Sequence, residues 1–102
     1  MAIKVDLSRN NVLTIHLIGD IDHHTAKEMR ETADINIDIH NPKILIIDFK
    51  DVNFMDTSGI GLVMGRYKIM KSNGGQVKIT NLSPHLKRIM NLAGLSRLIN
   101  IE

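Results

Sequence analysis

Residues 48–61 read DFKDVNFMDTSGIG and join a run of apolar residues to a segment of helical periodicity. The apolar run at 44–47 is typical of a buried strand, and the apolar residues after the loop recur at helical spacing. The adjacent hydroxyl residues Thr57 and Ser58 therefore lie where a strand leads into a helix start. A helix start offers unpaired N–H groups and a partial positive charge, so a phosphate group is well accommodated there. This loop is therefore a candidate switch.

The first part of the chain predicts a β-hairpin followed by a helix. Residues 3–7 alternate apolar and polar side chains, and residues 12–18 form a second strand after a short turn. Either Asp22 or Thr25 can cap the following helix. Its expected inner face consists of Ala26, Met29, the aliphatic stem of Arg30, Ala33 and Ile37. The end of this helix is ambiguous, because the isoleucines within 35–39 also fit the period of a strand.

The rest of the chain predicts alternating strands and helices. Residues 43–49 form a continuous apolar strand of the kind that is covered on both faces, and a helix follows over 59–72. The inner face of that helix is expected at Ile60, Val63, Met64, Tyr67 and Met70. A strand at 76–80 precedes a third helix, which Ser83 caps, and residues 98–101 can add a last strand. The inner face of the third helix is expected at Leu86, Ile89, Met90 and Ala93.

The predicted order is therefore β-β-α-β-α-β-α, with an optional final strand. Strands that alternate with helices after an opening hairpin indicate right-handed crossovers onto one mixed sheet. A chain of 102 residues suffices for one compact domain but not for two. We expect an α/β fold in which helices pack against a small mixed β-sheet, as a single domain over residues 1–102.

Composition narrows the classes of function. Hydrophobic residues make up 43% of the chain and aromatic residues only 3%, so the core is aliphatic. The chain has no cysteine, which excludes disulfides and thiolate metal sites. Its net charge of +2 is dispersed and forms no basic stripe for nucleic acid. We see no signal peptide and no apolar run long enough to span a bilayer, so we expect a cytoplasmic protein without a membrane partner.

Two loops follow the carboxyl ends of strands that are predicted to be neighbours, at 19–25 and at 51–58. Functional residues of α/β sheets lie at such ends, and we expect the two loops to lie side by side. The plain interpretation of residues 56–58 is a helix cap, because each of the three is a good capping residue and one is enough. If Asp56 caps the helix, Ser58 is free to react or to contact a partner.

Three glycines indicate that residues 56–58 are more than a helix cap. Gly59, Gly61 and Gly65 lie in the predicted helix, where each costs about 1 kcal/mol relative to alanine. Such a violation often marks a close backbone approach or a functional site. A phosphoryl group on Ser58 brings about −1.5 to −2 charges, and a partner packed over the loop has to desolvate it. A thousandfold loss of affinity needs only about 4 kcal/mol, which one misplaced dianion at an interface can supply.

The segment at 48–62 resembles the signature of STAS domains, specifically of the sporulation-type bacterial anti-sigma factor antagonists. Residues 17–22, with Thr25 and Ala26 after them, resemble the first conserved loop of that family. Residues 81–95 resemble its C-terminal helix region. The resemblance covers nearly the whole chain and implies a small mixed sheet with helices packed against it.

The resemblance also implies a phosphorylation cycle at Ser58. The matching serine is phosphorylated by a partner that is both anti-sigma factor and ATP-dependent serine kinase. The unphosphorylated form binds that partner and frees the sigma factor, and a metal-dependent serine phosphatase reverses the modification. By the same resemblance, Asp20 contacts the partner and Asp56 positions Ser58.

The other residues assigned to this site support the motif or contact the partner. The supporting residues are Thr57, Gly59 and Gly61, and the further partner-binding residues are Gly19, Asp22, Thr25, Ile60 and Met64. Ile60 and Met64 belong to an apolar row that is more often core. If they are partly exposed, they form the apolar centre of the interface.

Other classes of protein fit these residues less well. Asp56-Thr57 resembles the Asp-Thr-Gly of dimeric aspartic proteases, but serine follows and helical periodicity dominates here. A nucleotide- or anion-binding module without a phosphorylation switch stays open as the alternative. Against a dedicated nucleotide site, the glycines at 59, 61 and 65 miss the dinucleotide pattern by one residue, and no P-loop lysine follows.

Catalysis and metal binding find little support in the sequence. No pair among the five histidines has the i, i+4 spacing of a helical metal site, and no cysteine joins them. Ser58 lacks a G-x-S-x-G elbow and a base that sequence can assign to it. We therefore expect a non-enzymatic protein without a catalytic residue, metal or cofactor. His23 and His24 are assigned no role.

Overall fold

The computed structural model describes residues 2–102, so Met1, where the predicted domain begins, lies outside the described residues. In chain order the elements are β1 (Ile3–Leu7), β2 (Val12–Ile18), α1 (His23–His40), β3 (Ile44–Asp51), α2 (Ser58–Ser72), β4 (Gln76–Thr80), α3 (Pro84–Leu92), a 3₁₀ turn (Leu95–Arg97) and β5 (Asn100–Ile101). This order confirms the predicted one, and the optional final strand is present as β5.

The strands form one mixed sheet with the order β1-β2-β3-β4-β5. β1 and β2 make the antiparallel hairpin, in which Val5 lies opposite Ile15, and each later strand runs parallel to its neighbour. Leu13, Leu45 and Val77 lie in register across the three central strands. The α/β fold with a small mixed sheet is therefore confirmed.

One face of this sheet carries the aliphatic core. The core includes Leu13, Ile15, Leu17, Leu45, Ile47 and Phe49 from the strands, and Met29, Ala33, Ile37, Val63, Met70, Leu86 and Met90 from the three helices. The side chains that alternate with them along the strands, such as Thr14, Ile44 and Ile46, are only half-buried on the other face. The prediction that the central strand is covered on both faces is therefore wrong, because the helices place their apolar side chains in the core on one face.

The buried side of α2 only partly matches the one that hydropathy predicts, since Val63 and Met70 are buried as expected. Its buried residues are Gly59, Leu62, Val63, Arg66 and Met70. The predicted inner residues Ile60, Met64 and Tyr67 are half-buried and pack at the edge of the core. Leu62 and Arg66 lie on the buried side instead, and the Arg66 side chain is buried against Asp34 of α1.

α1 continues to His40, so the ambiguous isoleucines are helical. Ile37 is buried, whereas Ile35 and Ile39 are exposed, as a helical period requires. Arg30 was expected to lay its stem on the inner face, but it is exposed because the buried stripe runs along the neighbouring side of the helix.

The C-terminal end of α3 differs from the predicted one by one residue, and the helices are also compared with what a membrane span requires. α3 ends at Leu92, so Ala93 becomes its capping residue and is exposed rather than buried as predicted. Gly94 follows with a φ of 80°, a left-handed conformation that closes the helix. In the part of the chain that the structure describes, none of the helices combines the length and the apolar composition needed to cross a membrane.

Candidate functional site

The two predicted loops lie side by side, joined by backbone hydrogen bonds. The N–H of Gly19 donates to the carbonyl oxygen of Asp51 at 3.0 Å, where the pairing of β2 with β3 ends. Ile21 then donates to the carbonyl oxygen of Phe54 at 2.9 Å and accepts from the N–H of Asp56 at 3.0 Å. A short parallel ladder therefore continues past the sheet and fixes the two loops relative to each other.

The first loop is built around the cap of α1. Asp22 is the N-cap residue, and its carboxylate accepts from the N–H groups of His24 at 2.9 Å and Thr25 at 2.8 Å. The Thr25 hydroxyl accepts from the N–H of Asp22 at 2.9 Å and donates to the carbonyl oxygen of Asp20 at 2.8 Å. The bond from the Thr25 backbone lowers the pKa of Asp22 below its ordinary value.

In the first loop, some residues hold the backbone or the helix cap, and another is exposed with its side chain outside the cap. Gly19 has a φ of 94°, a conformation that favours glycine. Asp22 and Thr25 form a reciprocal capping box that holds the start of α1. Asp20 is exposed beside them. Of the predicted partner-binding residues in this loop, Asp20 is therefore the one whose carboxylate is not committed to the cap.

The second loop differs from the sequence-based expectation at the start of α2. The Asp56 carboxylate accepts from the N–H of Ser58 at 2.7 Å, and the Asp56 carbonyl accepts from Gly59 at 3.1 Å. The carbonyl oxygen of Thr57 accepts from Ile60 at 3.1 Å and from Gly61 at 3.3 Å. The prediction of unpaired N–H groups at this helix start is therefore wrong for residues 58–61, because Asp56 and a tightened first turn occupy them.

Asp56 rather than Thr57 supplies the side-chain bond at this helix start. Thr57 occupies the N-cap position, but its side chain makes no capping hydrogen bond. Asp56 holds Ser58 through the backbone N–H, and the Ser58 side chain is half-buried at the first helical residue. The hydroxyl oxygen is thus placed by its backbone and is not used to hold the fold.

The glycines of α2 have different surroundings. A Cβ on Gly59 would overlap the Sδ and Cγ atoms of Met55, whose side chain is buried beneath the helix start. A Cβ on Gly61 or Gly65 would have no neighbouring heavy atom within 4 Å. The close approach that sequence analysis inferred is therefore present at Gly59 alone among these three.

Apolar side chains surround the second loop at different depths. Ile60 and Met64 are half-buried, so both are partly exposed near Ser58. Phe54 is 52% exposed in the loop before them. Sequence analysis gave Phe54 no role, although an aromatic residue next to a polar motif in a chain so poor in aromatics was a usable signal.

A groove beside Ser58 brings together residues that sequence analysis did not connect. It encloses about 300 Å³ between the first turns of α1 and α2. Its lining residues are His23, Ala26, Lys27 and Arg30 from α1, and Ser58, Gly61 and Leu62 from α2. The i, i+4, i+7 spacing of the three basic residues predicts that they share one helix face. That spacing was the available signal, but nothing local shows that the face is turned toward Ser58.

A second polar cluster lies on the open face of the sheet. His16 Nδ1 lies 2.6 Å from Asp48 Oδ2, and His16 Nε2 lies 2.8 Å from Asp6 Oδ2. The other oxygen of Asp48 accepts from the side-chain amide of Asn81 at 2.7 Å and from the N–H of Lys50 at 3.0 Å. The hydrogen bond with Asp48 holds the pKa of His16 above 6.5, its ordinary value. Sequence analysis missed this cluster, because its members are far apart in the chain.

The comparisons with known proteins agree with this architecture. The model of the STAS domain family matches residues 5–102, and the chain belongs to that family. It is 35% identical over 107 residues to the anti-sigma-B factor antagonist of Bacillus subtilis (strain 168), covering 100% of this chain and 93% of that protein. It is 29% identical over 102 residues to the anti-sigma F factor antagonist of Paenibacillus polymyxa, covering 99% and 87%.

Solved structures give the same result for the fold. The anti-sigma factor antagonist SpoIIAA in its unphosphorylated form matches with a TM-score of 0.85 at 27% identity, covering 99% of this chain and 88% of that one. The Bacillus cell fate determinant SpoIIAA in its phosphorylated form matches with a TM-score of 0.77 at 27% identity, covering 99% and 91%. The predicted resemblance to anti-sigma factor antagonists is therefore confirmed.

Proposed function

We propose that this chain is an anti-anti-sigma factor whose partner binding is switched by phosphorylation of Ser58. In its unphosphorylated form it binds an anti-sigma factor with serine kinase activity in the cytoplasm, and a sigma factor is released. The observation that carries the proposal is the position of Ser58, partly exposed at the start of α2 and fixed beside the first loop. Relatives over the full chain are anti-sigma factor antagonists, and one of them has been solved in both phosphorylation states.

The local hydrogen bonds suit a reversible modification. Asp56 holds the N–H of Ser58, so the hydroxyl oxygen can form a bond to the γ-phosphorus of ATP without breaking the cap. The bond between that phosphorus and ADP breaks, and the hydroxyl proton is released to solvent or to the partner. A serine phosphatase would hydrolyse the phosphate ester and restore the binding form.

The proposed binding surface combines the two loops with partly exposed apolar side chains. Asp20 supplies an uncommitted charge, and Phe54, Ile60 and Met64 supply apolar area of the kind found at interface centres. A phosphate on Ser58 would add its charge next to this surface. A partner would then have to desolvate that charge, and binding would weaken while the fold remains.

The first experiment measures intact mass after incubation with ATP and a cognate anti-sigma kinase, followed by site mapping. We expect one added phosphate on Ser58, none in Ser58→Ala, and an unchanged result in the control Thr57→Ala. Phosphate incorporated into Ser58→Ala would contradict the assignment of the site. A kinase that binds the protein without modifying it would leave a plain binding module, and nucleotide binding would then be measured directly.

Binding of the partner tests the switch itself. Ser58→Asp carries a single negative charge, and we expect it to weaken the partner's affinity at least about tenfold, which corresponds to about 1.4 kcal/mol. Its melting temperature should stay near that of the wild type, because aspartate is favourable in the first turn of a helix. Ser58→Ala should bind like the wild type. A large loss of stability in Ser58→Asp would mean that the loop is structural.

The first loop is tested by two variants that separate charge from capping. Asp20→Ala removes an exposed carboxylate, and Asp22→Ser removes a charge but keeps a capping oxygen. We expect Asp20→Ala to weaken binding without a change in stability, as calorimetry and thermal melting would measure. Asp22→Ala is a poorer probe, because loss of the capping oxygen destabilises the helix by itself. Unchanged affinity in both Asp20→Ala and Asp22→Ser would remove this loop from the interface.

A further inference from the structure

The groove beside Ser58 is lined by three basic residues and by no acidic one. His23, Lys27 and Arg30 stand one turn apart on α1, and all three are exposed. Across the groove, Ser58 and Gly61 stand one turn apart on α2. The charge on this side of Ser58 is therefore positive, whereas Asp56 lies behind it in its own loop.

Four backbone N–H groups at the start of α2 are already used and are not available to a phosphate. The N–H groups of residues 58–61 already donate to Asp56 and Thr57. A phosphate monoester presents three strong acceptor oxygens, so its donors have to come from elsewhere. The groove offers about 300 Å³ of space, and Gly61 leaves its α2 side open.

We infer that this groove is an intramolecular receptor for the phosphate on Ser58, in which Lys27, Arg30 and His23 of α1 contact the phosphate oxygens. The inference rests on the proposed function, because it concerns the phosphorylated form of the same serine. The guanidinium group of Arg30 can bind two phosphate oxygens at once. In the phosphorylated form, the contact ties the first turns of α1 and α2 together.

This receptor gives the phosphorylated state a structural consequence on its own chain. The phosphate adds negative charge at Ser58 and neutralises the basic row of α1. One modification therefore changes the surface charge at two places. Glu28 and Glu31 adjoin the basic row on α1, and Asp34 is paired with Arg66 near Arg30. Two acidic residues also lie in the loops that border the groove, Asp56 before Ser58 and Asp22 at the start of α1. Both are engaged by N–H groups, Asp56 by Ser58 and Asp22 by His24 and Thr25.

The test places phosphoserine at position 58 during translation, so that it does not depend on any kinase. Phosphorus NMR then follows the second pKa of the phosphate, which is about 6 in a free phosphomonoester side chain. We expect a pKa below that value in the otherwise unchanged chain, because the basic row favours the dianion. Lys27→Ala/Arg30→Ala should move the pKa back up toward about 6.

A matched control removes the same two residue types elsewhere. Lys87→Ala/Arg88→Ala deletes one lysine and one arginine from exposed positions of α3, outside the groove. It should leave the phosphate pKa unchanged. His23→Asn, in the phosphorylated chain, measures what the third basic side chain of the groove contributes. Backbone NMR spectra of each variant establish that it is folded.

Each outcome bears on the inference separately from the proposed function. Equal shifts in the groove variant and the control would overturn the receptor, because net charge alone would then explain the pKa. A pKa of about 6 in all variants would overturn it as well. A lowered pKa that returns only in the groove variant would support it, even if no kinase were found to modify Ser58. Conversely, a working switch with an unperturbed phosphate would leave the proposed function intact.

Discussion

The glycines at the start of α2 carry the same intrinsic cost but do not serve the same purpose. Each lowers helix propensity by about 1 kcal/mol relative to alanine. Gly59 allows the buried Met55 side chain to pass directly beneath the helix. Gly61 borders the groove beside Ser58, and Gly65 has open space around it.

These surroundings predict opposite effects of the same substitution. Gly59→Ala should lower the free energy of unfolding by about 1–3 kcal/mol, because the methyl group overpacks against Met55. Gly65→Ala should raise it by up to about 1 kcal/mol through helix propensity, and Gly61→Ala should do the same. Urea denaturation of the three variants is the measurement. Equal stability of Gly59→Ala and the wild type would show that Met55 moves aside without cost.

The roles of single residues could be predicted from the sequence where they depend only on residues close in the chain. Asp22 and Ser83 cap their helices as expected, because a cap needs only residues within one turn. The hydrogen-bond state of the N–H groups at 58–61 was not predictable. It depends on where the Asp56 carboxylate points and on a first turn that is tighter than an α-helix.

An ion pair joins α1 to α2, with its arginine buried and its aspartate partly exposed. Arg66 Nε lies 2.7 Å from Asp34 Oδ1, and Arg66 Nη2 donates to Asp34 Oδ2 at 3.3 Å. Arg66 Nη1 also donates to the carbonyl oxygen of Leu62 at 3.1 Å. The short Nε contact is not aligned as a hydrogen bond, so its attraction is mainly electrostatic. Burial lowers the pKa of Arg66, and the charge of Asp34 works against that effect.

Removing the two partners of this pair should have unequal effects. The Arg66 side chain is only 6% exposed, whereas that of Asp34 is 37% exposed. Asp34→Ala therefore leaves a buried cation without its partner and should lower the free energy of unfolding by about 3–5 kcal/mol. Arg66→Met leaves a carboxylate that water can reach and should cost about 1–3 kcal/mol.

Chemical denaturation of the two single variants, compared with the double variant Asp34→Ala/Arg66→Met, measures this asymmetry. The double variant should be more stable than Asp34→Ala, because it no longer buries an unpaired charge. Equal losses in the two single variants would show that both charges are solvated to the same extent.

The same ion pair explains why Arg66 was not predicted on the inner face of α2. Hydropathy places an arginine on the outside of a helix, so the predicted stripe followed Ile60, Met64 and Tyr67. The partner that allows Arg66 to be buried lies 32 residues away on another helix. A periodicity that is read within one helix has no access to such a pair.

At the scale of the whole molecule, the order of elements followed from the sequence alone. Segments of period two and of helical period alternate along the chain, and short connections restrict how they can be assembled. The neighbouring loops at 19–25 and 51–58 followed from the parallel pairing of β2 and β3. The open face of the sheet could not be predicted from the sequence, because a continuous apolar strand such as β3 is typical of burial on both faces.

That open face is where His16 links four parts of the fold. It contacts Asp6 on β1 and Asp48 on β3, and Asp48 in turn contacts Asn81 after β4. Burial works to raise the pKa of Asp48, but the hydrogen bonds from Asn81, His16 and the N–H of Lys50 together lower it. The cluster therefore places His16 between two carboxylates, which favour its protonated form, across three adjacent strands.

The raised pKa of His16 makes stability depend on pH in a defined direction. The folded protein binds the proton of His16 more tightly than the unfolded chain does. This contribution is complete below 6.5, the ordinary pKa of histidine, and it is lost as the pH rises through the higher pKa of the folded state. Asp48 acts in the opposite direction at acidic pH, where its contribution is lost below 3.8.

We therefore expect the free energy of unfolding to decrease as the pH rises above 6.5, and His16→Gln to lack the part of this decrease that His16 contributes. Urea denaturation at a series of pH values measures the slope in both proteins. His85→Gln, at an exposed position of α3, is the control and should keep the wild-type slope. If His16→Gln kept it as well, the cluster would not be the source, since its only group that titrates in this range would have been removed without effect.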